Sequence, residues 1–211
     1  MQITDAKHII LFGGSFDPPH VAHVALPMAA REAIGAEVVA YIPAAKAPHK
    51  LDKLQTDPKH RLAMLRLALG NEKHAVILTD EIDRAAGGEP SYTVDTLTVL
   101  RERLGDDVKL RLLIGADQVR IFDQWRDPKR IIELAEPLVM VRPPDDRASL
   151  LASLPDDQAR EAWASRLVDV PAVDVSSTQI RERVARGEPI TGMVDDAVER
   201  YIYQHGLYCQ V

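Results

Sequence analysis

The chain has very little cysteine and no long apolar segment. Its 211 residues include a single cysteine, Cys209, so a disulfide within the chain is excluded and a reducing compartment is expected. No apolar run reaches the roughly 18 residues that a membrane-spanning helix needs. The short run Ile9–Phe12 also lacks the pattern of a signal peptide. We therefore expect a cytoplasmic protein that does not enter a membrane.

An excess of positive charge is also absent. The formal net charge is −6 at neutral pH, whereas general nucleic-acid binders carry a basic face that neutralises phosphates. The negative net charge argues against a nucleic-acid partner. A small anionic ligand would therefore have to bind to basic residues clustered at its site. The hydrophobic content of 46% suffices for a substantial core. We expect one domain over residues 1–211, and the composition leaves the oligomeric state open.

Alternating strand and helix patterns indicate the fold class. Strands are predicted at 9–14, 37–43, 75–78, 109–115 and 137–144, with two short candidates in 166–175 that Pro171 separates. Helices are predicted at 20–34, 58–69, 94–104 and 194–203. A further helix is predicted directly after the hydroxyl-rich residues 176–178, and two short helices are predicted in 145–165. Residues 80–84 are expected to lead from the third strand into a turn.

Successive strand–helix–strand units with right-handed crossovers place the ligand crevice at the carboxyl ends of parallel strands. We therefore predict an α/β fold with a Rossmann-like, doubly wound parallel sheet and helices on both faces. A small helical C-terminal part is predicted over residues 176–211.

The most informative stretch follows the first strand. Gly13 and Gly14 come directly after Ile9–Phe12, and His20 and His23 stand three residues apart at a predicted helix start. Glycine has no Cβ, so the backbone can approach a ligand closely. Backbone N–H groups at a helix N-terminus favour anions. Together these features predict a polyphosphate site in which both imidazoles face the glycine loop.

Several other candidates have an ordinary structural alternative. Asp117 follows Gly115 at a strand end, where a carboxylate binds ribose hydroxyls or caps the next helix. Trp125 stands in a polar loop, where an indole stacks on a planar heterocycle or covers the core. Thr93 is a candidate helix cap near a second anion-favouring N-terminus.

Two further groups of polar residues are also open to both interpretations. The run Ser176-Ser177-Thr178 precedes a helical pattern, and it either caps that helix or forms a second anion site with Arg181 one turn later. A basic loop at 44–50, which ends in Lys50, is either solvated or in contact with phosphate. The arginines of the helix predicted at 58–69 are expected on the surface.

Two separated motifs carry a family resemblance. Gly-x-Phe-Asp-Pro-x-His-x-x-His resembles the signature of the nucleotidyltransferase superfamily that shares the His-x-Gly-His motif. Ala22 stands where that family usually has glycine, and its methyl group is expected to narrow the space beside the phosphates. Ser-Ser-Thr-x-Ile-Arg resembles the second signature of the adenylyltransferases that make dinucleotide cofactors.

Pro-Ser-Tyr-Thr, Gly-x-Asp and the loop tryptophan resemble the bacterial nicotinate-mononucleotide adenylyltransferases, and the match runs from Phe12 to Tyr208. The resemblance implies that the 5′-phosphate of nicotinate mononucleotide attacks the α-phosphorus of ATP. The products would be nicotinate adenine dinucleotide and pyrophosphate, in NAD biosynthesis. Mg²⁺ would arrive with ATP rather than occupy a dedicated protein site. His20 and His23 would be the catalytic pair, and His23 the better candidate for stabilising the transition state.

The resemblance also implies which residues bind each nucleotide. Those implied to bind ATP are Gly13, Gly14, Ser15, Phe16, Asp17, Gly115, Asp117, Ser176, Ser177, Thr178 and Arg181. Those implied to bind the mononucleotide are Lys50, for its phosphate, and Tyr92, Thr93 and Trp125, for its pyridine ring.

Three alternatives stay open at this point. The acceptor could be nicotinamide mononucleotide or phosphopantetheine, or the chain could be a catalytically silent module that senses nucleotides. The phosphopantetheine enzymes typically have threonine where this chain has His20, and they are shorter. The presence of both motifs together weighs against a silent module.

Overall fold

The computed structural model describes residues 3–45, 55–85, 92–141 and 145–209. The strands in these ranges are β1 (His8–Gly14), β2 (Val38–Pro43), β3 (Ala75–Ile77), β4 (Lys109–Gly115), β5 (Glu136–Met140) and β6 (Leu167–Val168). They form one sheet in the order β3-β2-β1-β4-β5-β6, and every pair is parallel. This order is that of a doubly wound sheet, so the predicted Rossmann-like fold is confirmed.

Ten helices connect or cover these strands in the described ranges. They are α1 (Val21–Ala33), α2 (Pro58–Leu69), α3 (Asp80–Ala85), α4 (Thr93–Leu104), α5 (Ala116–Val119), α6 (Pro128–Leu134), α7 (Arg147–Ala152), α8 (Asp157–Ala164), α9 (Ser177–Ala185) and α10 (Asp196–Gln204). Short 3₁₀ turns lie at Ile3–Asp5 and Phe122–Gln124. None of the helices described here is long and apolar enough to cross a membrane.

Successive side chains of β1 enter opposite faces of the sheet. Ile9 and Leu11 pack in the cluster that includes α4 and α6, whereas Ile10 and Phe12 pack in the cluster that includes α1 and α2. Helices therefore cover both faces, and residues 9–12 of the strand are buried. This explains why β1 is a continuous apolar run rather than an alternating one.

The last two helices pack beside α2 instead of on the sheet. Their apolar face forms a third cluster in which Ile180 and Val184 of α9 and Val198 and Ile202 of α10 surround Met64 of α2. The predicted helical C-terminal part is therefore confirmed, and α2 connects it to the sheet.

Two local predictions are wrong. Residues 80–84, expected to lead the third strand into a turn, instead form most of α3, with Asp80, Glu81 and Asp83 in its first turn, where negative charge interacts favourably with the helix dipole. Of the two strands predicted in 166–175, only β6 is present among the described residues. Pro171 lacks the N–H group that would extend pairing at this edge.

A buried arginine of α2 connects the ends of β1 and β2. Arg61 is 0% exposed, so the prediction that the arginines of this helix lie on the surface is wrong at this position. Its guanidinium donates hydrogen bonds of 2.7–2.9 Å to the carbonyl oxygens of Ser15, Ala44, Ala45 and Thr56. The planar fork of arginine donors suits several acceptors at once. Arg61 thereby fixes the loop after β1 against the loop after β2.

We expect Arg61→Ala to lower the free energy of unfolding by on the order of 3 kcal/mol or more, because several buried carbonyl groups would lose their donor. Urea denaturation followed by circular dichroism measures this. The matched control is Arg66→Ala, on an exposed position of the same helix, which should change stability little. Equal effects of the two substitutions would contradict the role assigned to Arg61.

Candidate active site

A cavity of about 570 Å³ opens where β1, β2 and β4 end. The order of the sheet reverses here, because the chain leaves β1 for β2 on one side and later places β4 on the other. Such a switch point is where doubly wound sheets bind ligands. The residues predicted for binding that line the cavity are Gly13, Gly14, Ser15, Tyr92, Thr93, Gly115 and Trp125.

The glycine loop is folded tightly on itself. A Cβ atom at Gly14 would lie 3.1 Å from the ring of Phe16. That ring is buried in the core, and Phe16 has a left-handed φ of 49°, which few non-glycine residues adopt. Glycine at position 14 thus serves the packing of the loop itself, and the side chain of Phe16 does not line the cavity.

Asp17 links the loop to distant parts of the chain. Its carboxylate is 6% exposed and accepts hydrogen bonds from the Tyr208 hydroxyl at 2.6 Å and the Thr56 N–H at 3.1 Å. Its carbonyl oxygen accepts a hydrogen bond of 2.7 Å from Arg181. The Asp17 side chain is therefore directed to protein donors. Burial raises the pKa of Tyr208, and the neighbouring Asp17 charge raises it further.

The two histidines stack at the start of α1. Their ring centroids are 3.7 Å apart, and the backbone N–H of His20 donates to Nδ1 of His23 at 3.2 Å. The neutral His23 ring must then carry its proton on Nε2, which makes that nitrogen a donor. The His23 ring lies 5.1 Å from Phe16 and 6.1 Å from Phe12, and Phe12 lines the cavity.

Ala22, the residue that departs from the usual glycine, faces the core. It is 2% exposed, packs in the core and does not line the cavity. Two residues correspond to about 200° around a helix, so Ala22 points away from the side on which His20 begins α1. The expectation that its methyl group narrows the space beside the phosphates stays a prediction.

The hydroxyl-rich motif lies directly against the glycine loop. Ser177 is 159 residues from Pro18 in sequence, yet its hydroxyl donates to the Pro18 carbonyl oxygen at 2.8 Å. Ser176 caps α9, because its Oγ accepts from the Gln179 N–H at 3.2 Å. Arg181 also donates to Oγ1 of the exposed Thr178 at 3.2 Å. Capping and contact with the first motif thus both occur, on different hydroxyls.

Gly115 allows a neighbouring carboxylate to fold back over it. A Cβ at this position would lie 2.5 Å from Oδ1 of Asp117, closer than two such atoms approach. Asp117 is exposed, and its Oδ2 accepts from the Gln118 side chain at 2.7 Å. Gly115 is the N-cap of α5, and Asp117 lies within the first turn of that helix, so Asp117 does not cap it.

Sequence reasoning missed an acidic group in the cavity wall. Glu81 is 9% exposed and lines the cavity with Thr96, whose hydroxyl donates to Glu81 at 2.9 Å. Arg84 donates to the same hydroxyl. Burial raises the pKa of Glu81. Recognising α3 as a helix would have placed Glu81 and Arg84, three residues apart, on one face.

Arg126 was also missed. Its guanidinium carbon lies 4.7 Å from the centre of the Tyr92 ring, and its Nη1 lies 3.5 Å from the Asp95 carboxylate. The adjacent Trp125 packs on Phe122 with ring centroids 5.3 Å apart and also lines the cavity. The position of Trp125 is therefore compatible with both alternatives, covering the core and stacking on a planar ligand in the cavity. The only feature of the sequence that could have indicated Arg126 is its position next to a tryptophan in a loop.

Part of the prediction concerns residues outside the described ranges. Lys50 lies outside them, as do Pro90 and Ser91 of the Pro-Ser-Tyr-Thr motif. Within the described ranges, histidine, cysteine, aspartate and glutamate nowhere form a group of three or more that could hold a metal ion.

Comparison with known proteins identifies relatives over almost the whole length. A family model described as cytidylyltransferase-like matches residues 11–183. A probable nicotinate-nucleotide adenylyltransferase of Roseiflexus castenholzii is 40% identical over 200 residues, covering 94% of this chain and 96% of its own. Its counterpart in Bacillus pumilus is 35% identical over 202 residues, with coverages of 96% and 98%.

The fold is similar to that of a solved structure, Plasmodium falciparum nicotinic acid mononucleotide adenylyltransferase complexed with NaAD. The TM-score is 0.73 at 18% identity, and the similarity covers 97% of this chain and 98% of the other. A second structure of that protein, complexed with APC, has a TM-score of 0.70.

The raised pKa of Tyr208 gives stability a defined pH dependence. The bond to Asp17 requires the protonated hydroxyl, so its contribution is complete below the ordinary tyrosine pKa of 10.0 and is lost as pH rises above it. We expect Tyr208→Phe to be less stable at neutral pH by about 1 kcal/mol. Its stability should then fall less steeply than that of the wild type above about pH 10.

Denaturant unfolding at a series of pH values measures both effects. Tyr203→Phe, at an exposed position of α10, is the control and should stay close to the wild type at neutral pH. Parallel curves for the wild type and Tyr208→Phe above pH 10 would contradict the assignment.

Proposed function

The chain belongs to the cytidylyltransferase-like family and, within it, to the nicotinate-nucleotide adenylyltransferases, and from this premise we propose its reaction. It transfers the AMP group of ATP to nicotinate mononucleotide and releases pyrophosphate, which makes it an enzyme of NAD biosynthesis. The observation that carries the proposal is the contact of Ser177 and Arg181 with Pro18 and Asp17. This contact brings together the two motifs that are expected to bind phosphate. They lie beside a cavity that has room for a second ligand.

Catalysis in this proposal consists of positioning and charge stabilisation. The substrate phosphate is a nucleophile at neutral pH, so neither a covalent intermediate nor a strong base is needed. We propose that His20 and His23 contact the reacting phosphates and that the Nε2–H of His23 donates to the charge that develops on the α-phosphate. The hydrogen bond from the His20 backbone to Nδ1 supports this role, because it directs the His23 proton to Nε2.

We propose that the glycine loop and α9 hold the ATP phosphates from two sides. Gly13, Gly14 and Ser15 would do so through backbone N–H groups, while Phe16 and Asp17 hold the loop in shape. Thr178 and Arg181 are the side chains best placed for the outer phosphates.

The hydroxyls of Ser176 and Ser177 already bond to protein groups. These two residues would therefore contribute through the N-terminus of α9. Asp117, exposed at the end of β4, would accept hydrogen bonds from the adenosine ribose.

The mononucleotide would occupy the cavity. Its pyridine ring would stack on Trp125, with Tyr92 and Thr93 beside the ring substituent. All three residues line the cavity, and the N-terminus of α4 at Thr93 favours an anion. Lys50 is proposed for the mononucleotide phosphate.

We propose that the metal ion is Mg²⁺ and that it enters as part of the substrate MgATP. When bound it neutralises the β and γ oxygens. We also propose a single functional domain over residues 1–211, since α9 completes a site that β1 begins. We propose a cytoplasmic location, because the single cysteine is free and exposed, as is typical of a reducing compartment.

Pyrophosphate release tests the function directly. The purified chain with MgATP should be fastest with nicotinate mononucleotide, slower with nicotinamide mononucleotide and inactive with phosphopantetheine. The highest rate with either of the last two would overturn the proposed acceptor. Calorimetric ATP binding without turnover on any acceptor would favour a silent sensing module instead.

His23→Ala should retain the fold and lower kcat by about 10²–10³, the usual cost of losing one transition-state donor. Single-turnover pyrophosphate release measures the rate. His74→Ala, at an exposed histidine beside β3, is the matched control and should retain wild-type turnover. Wild-type kinetics in His23→Ala would rule out the proposed mechanism.

A further inference from the structure

We propose that Arg126 is a specificity-determining residue that favours an acceptor ring carrying a carboxylate over one carrying a neutral amide. The inference rests on the proposed function, and it assigns the choice between the two mononucleotides to one side chain.

The charges of the cavity wall are few and separated. Of the described residues that line the cavity, Arg126 and Glu81 are the charged ones. The Arg126 side chain is 58% exposed, at the mouth, whereas Glu81 is buried and held by Thr96. Glu81 is held by the hydroxyl of Thr96, to which Arg84 also donates. Arg126 is therefore the charged group of the described lining that attracts a negatively charged ring substituent.

Contacts within the chain hold Arg126 in place. The backbone N–H of Trp125 donates to the Phe122 carbonyl oxygen at 3.0 Å. On the other side of Arg126, Asp127 caps α6 with a left-handed φ of 51°. The backbone is thus fixed on both sides of Arg126. The guanidinium contact with the Tyr92 ring further restricts the side chain.

Asp95 competes with the substrate carboxylate for Arg126. It lies in the first turn of α4 and faces Arg126 at 3.5 Å, with both side chains about half exposed. Exposed pairs of this kind are weak and screened by solvent. A substrate carboxylate that reaches Arg126 can therefore replace Asp95 as its partner, and the negative charge of Asp95 opposes binding of that carboxylate.

The loss of a charge-assisted hydrogen bond at a partly exposed site corresponds to about a tenfold change in discrimination. The quantity to measure is the ratio of kcat/KM for nicotinate mononucleotide to kcat/KM for nicotinamide mononucleotide, with saturating MgATP. We expect Arg126→Gln to lower this ratio about tenfold and Asp95→Asn to raise it. Arg126→Lys, which retains the charge, should keep part of the preference.

The control is Arg130→Gln. Arg130 is an exposed arginine of the neighbouring α6 that pairs with Glu133 at 2.9 Å and does not line the cavity. It should leave the ratio at the wild-type value, which separates a local contact from a general change in surface charge.

The possible results are distinguishable. If the wild type uses nicotinate mononucleotide but Arg126→Gln leaves the ratio unchanged, the inference is wrong and the proposed function stands. Equal losses with both acceptors would also overturn it, because they would reduce Arg126 to packing against Tyr92. If the wild type releases no pyrophosphate with nicotinate mononucleotide, the proposed function and the inference both fail.

Discussion

The geometry of the crevice depends on one buried cation. The parallel sheet brings the ends of β1 and β2 to the same edge, but pairing stops at Gly14 and Pro43. Beyond that point the strand pairing ends, with one further backbone hydrogen bond of 2.9 Å from the Ala44 N–H to the Gly14 carbonyl oxygen. Arg61 replaces the ladder with hydrogen bonds to carbonyl groups of both loops. Burial lowers the pKa of Arg61 and the charge of Asp17 opposes that effect, so the cation and the glycine loop stabilise each other.

The C-terminal helices complete the loop from the other side. Ser177, Arg181 and Tyr208 bond to Pro18 and Asp17, while the apolar face of α9 and α10 is buried on α2. The same helix thus carries both Arg61 and Met64, the residue that the C-terminal cluster surrounds. Movement of α9 relative to the sheet would break polar and apolar contacts together, so the hydroxyl–arginine motif is held at a defined distance from the glycine loop.

Much of this architecture could be predicted from sequence because its signals are local. The apolar run before Gly13, the histidine spacing of one helical turn and the hydroxyls before α9 depend on neighbouring residues. Arg61 could not be recognised, since its acceptors are backbone carbonyls that leave no trace in side-chain patterns. Glu81 was hidden by the wrong assignment of α3.

The bond between Tyr208 and Asp17 spans 191 positions of the chain. During synthesis β1 and its glycine loop emerge first, and sheet and helices can form as the chain lengthens. The Asp17 carboxylate nevertheless lacks its hydroxyl partner until Tyr208 has left the ribosome. A chain interrupted before Tyr208 could therefore form its sheet without the hydrogen bond that fixes the Asp17 side chain in the glycine loop.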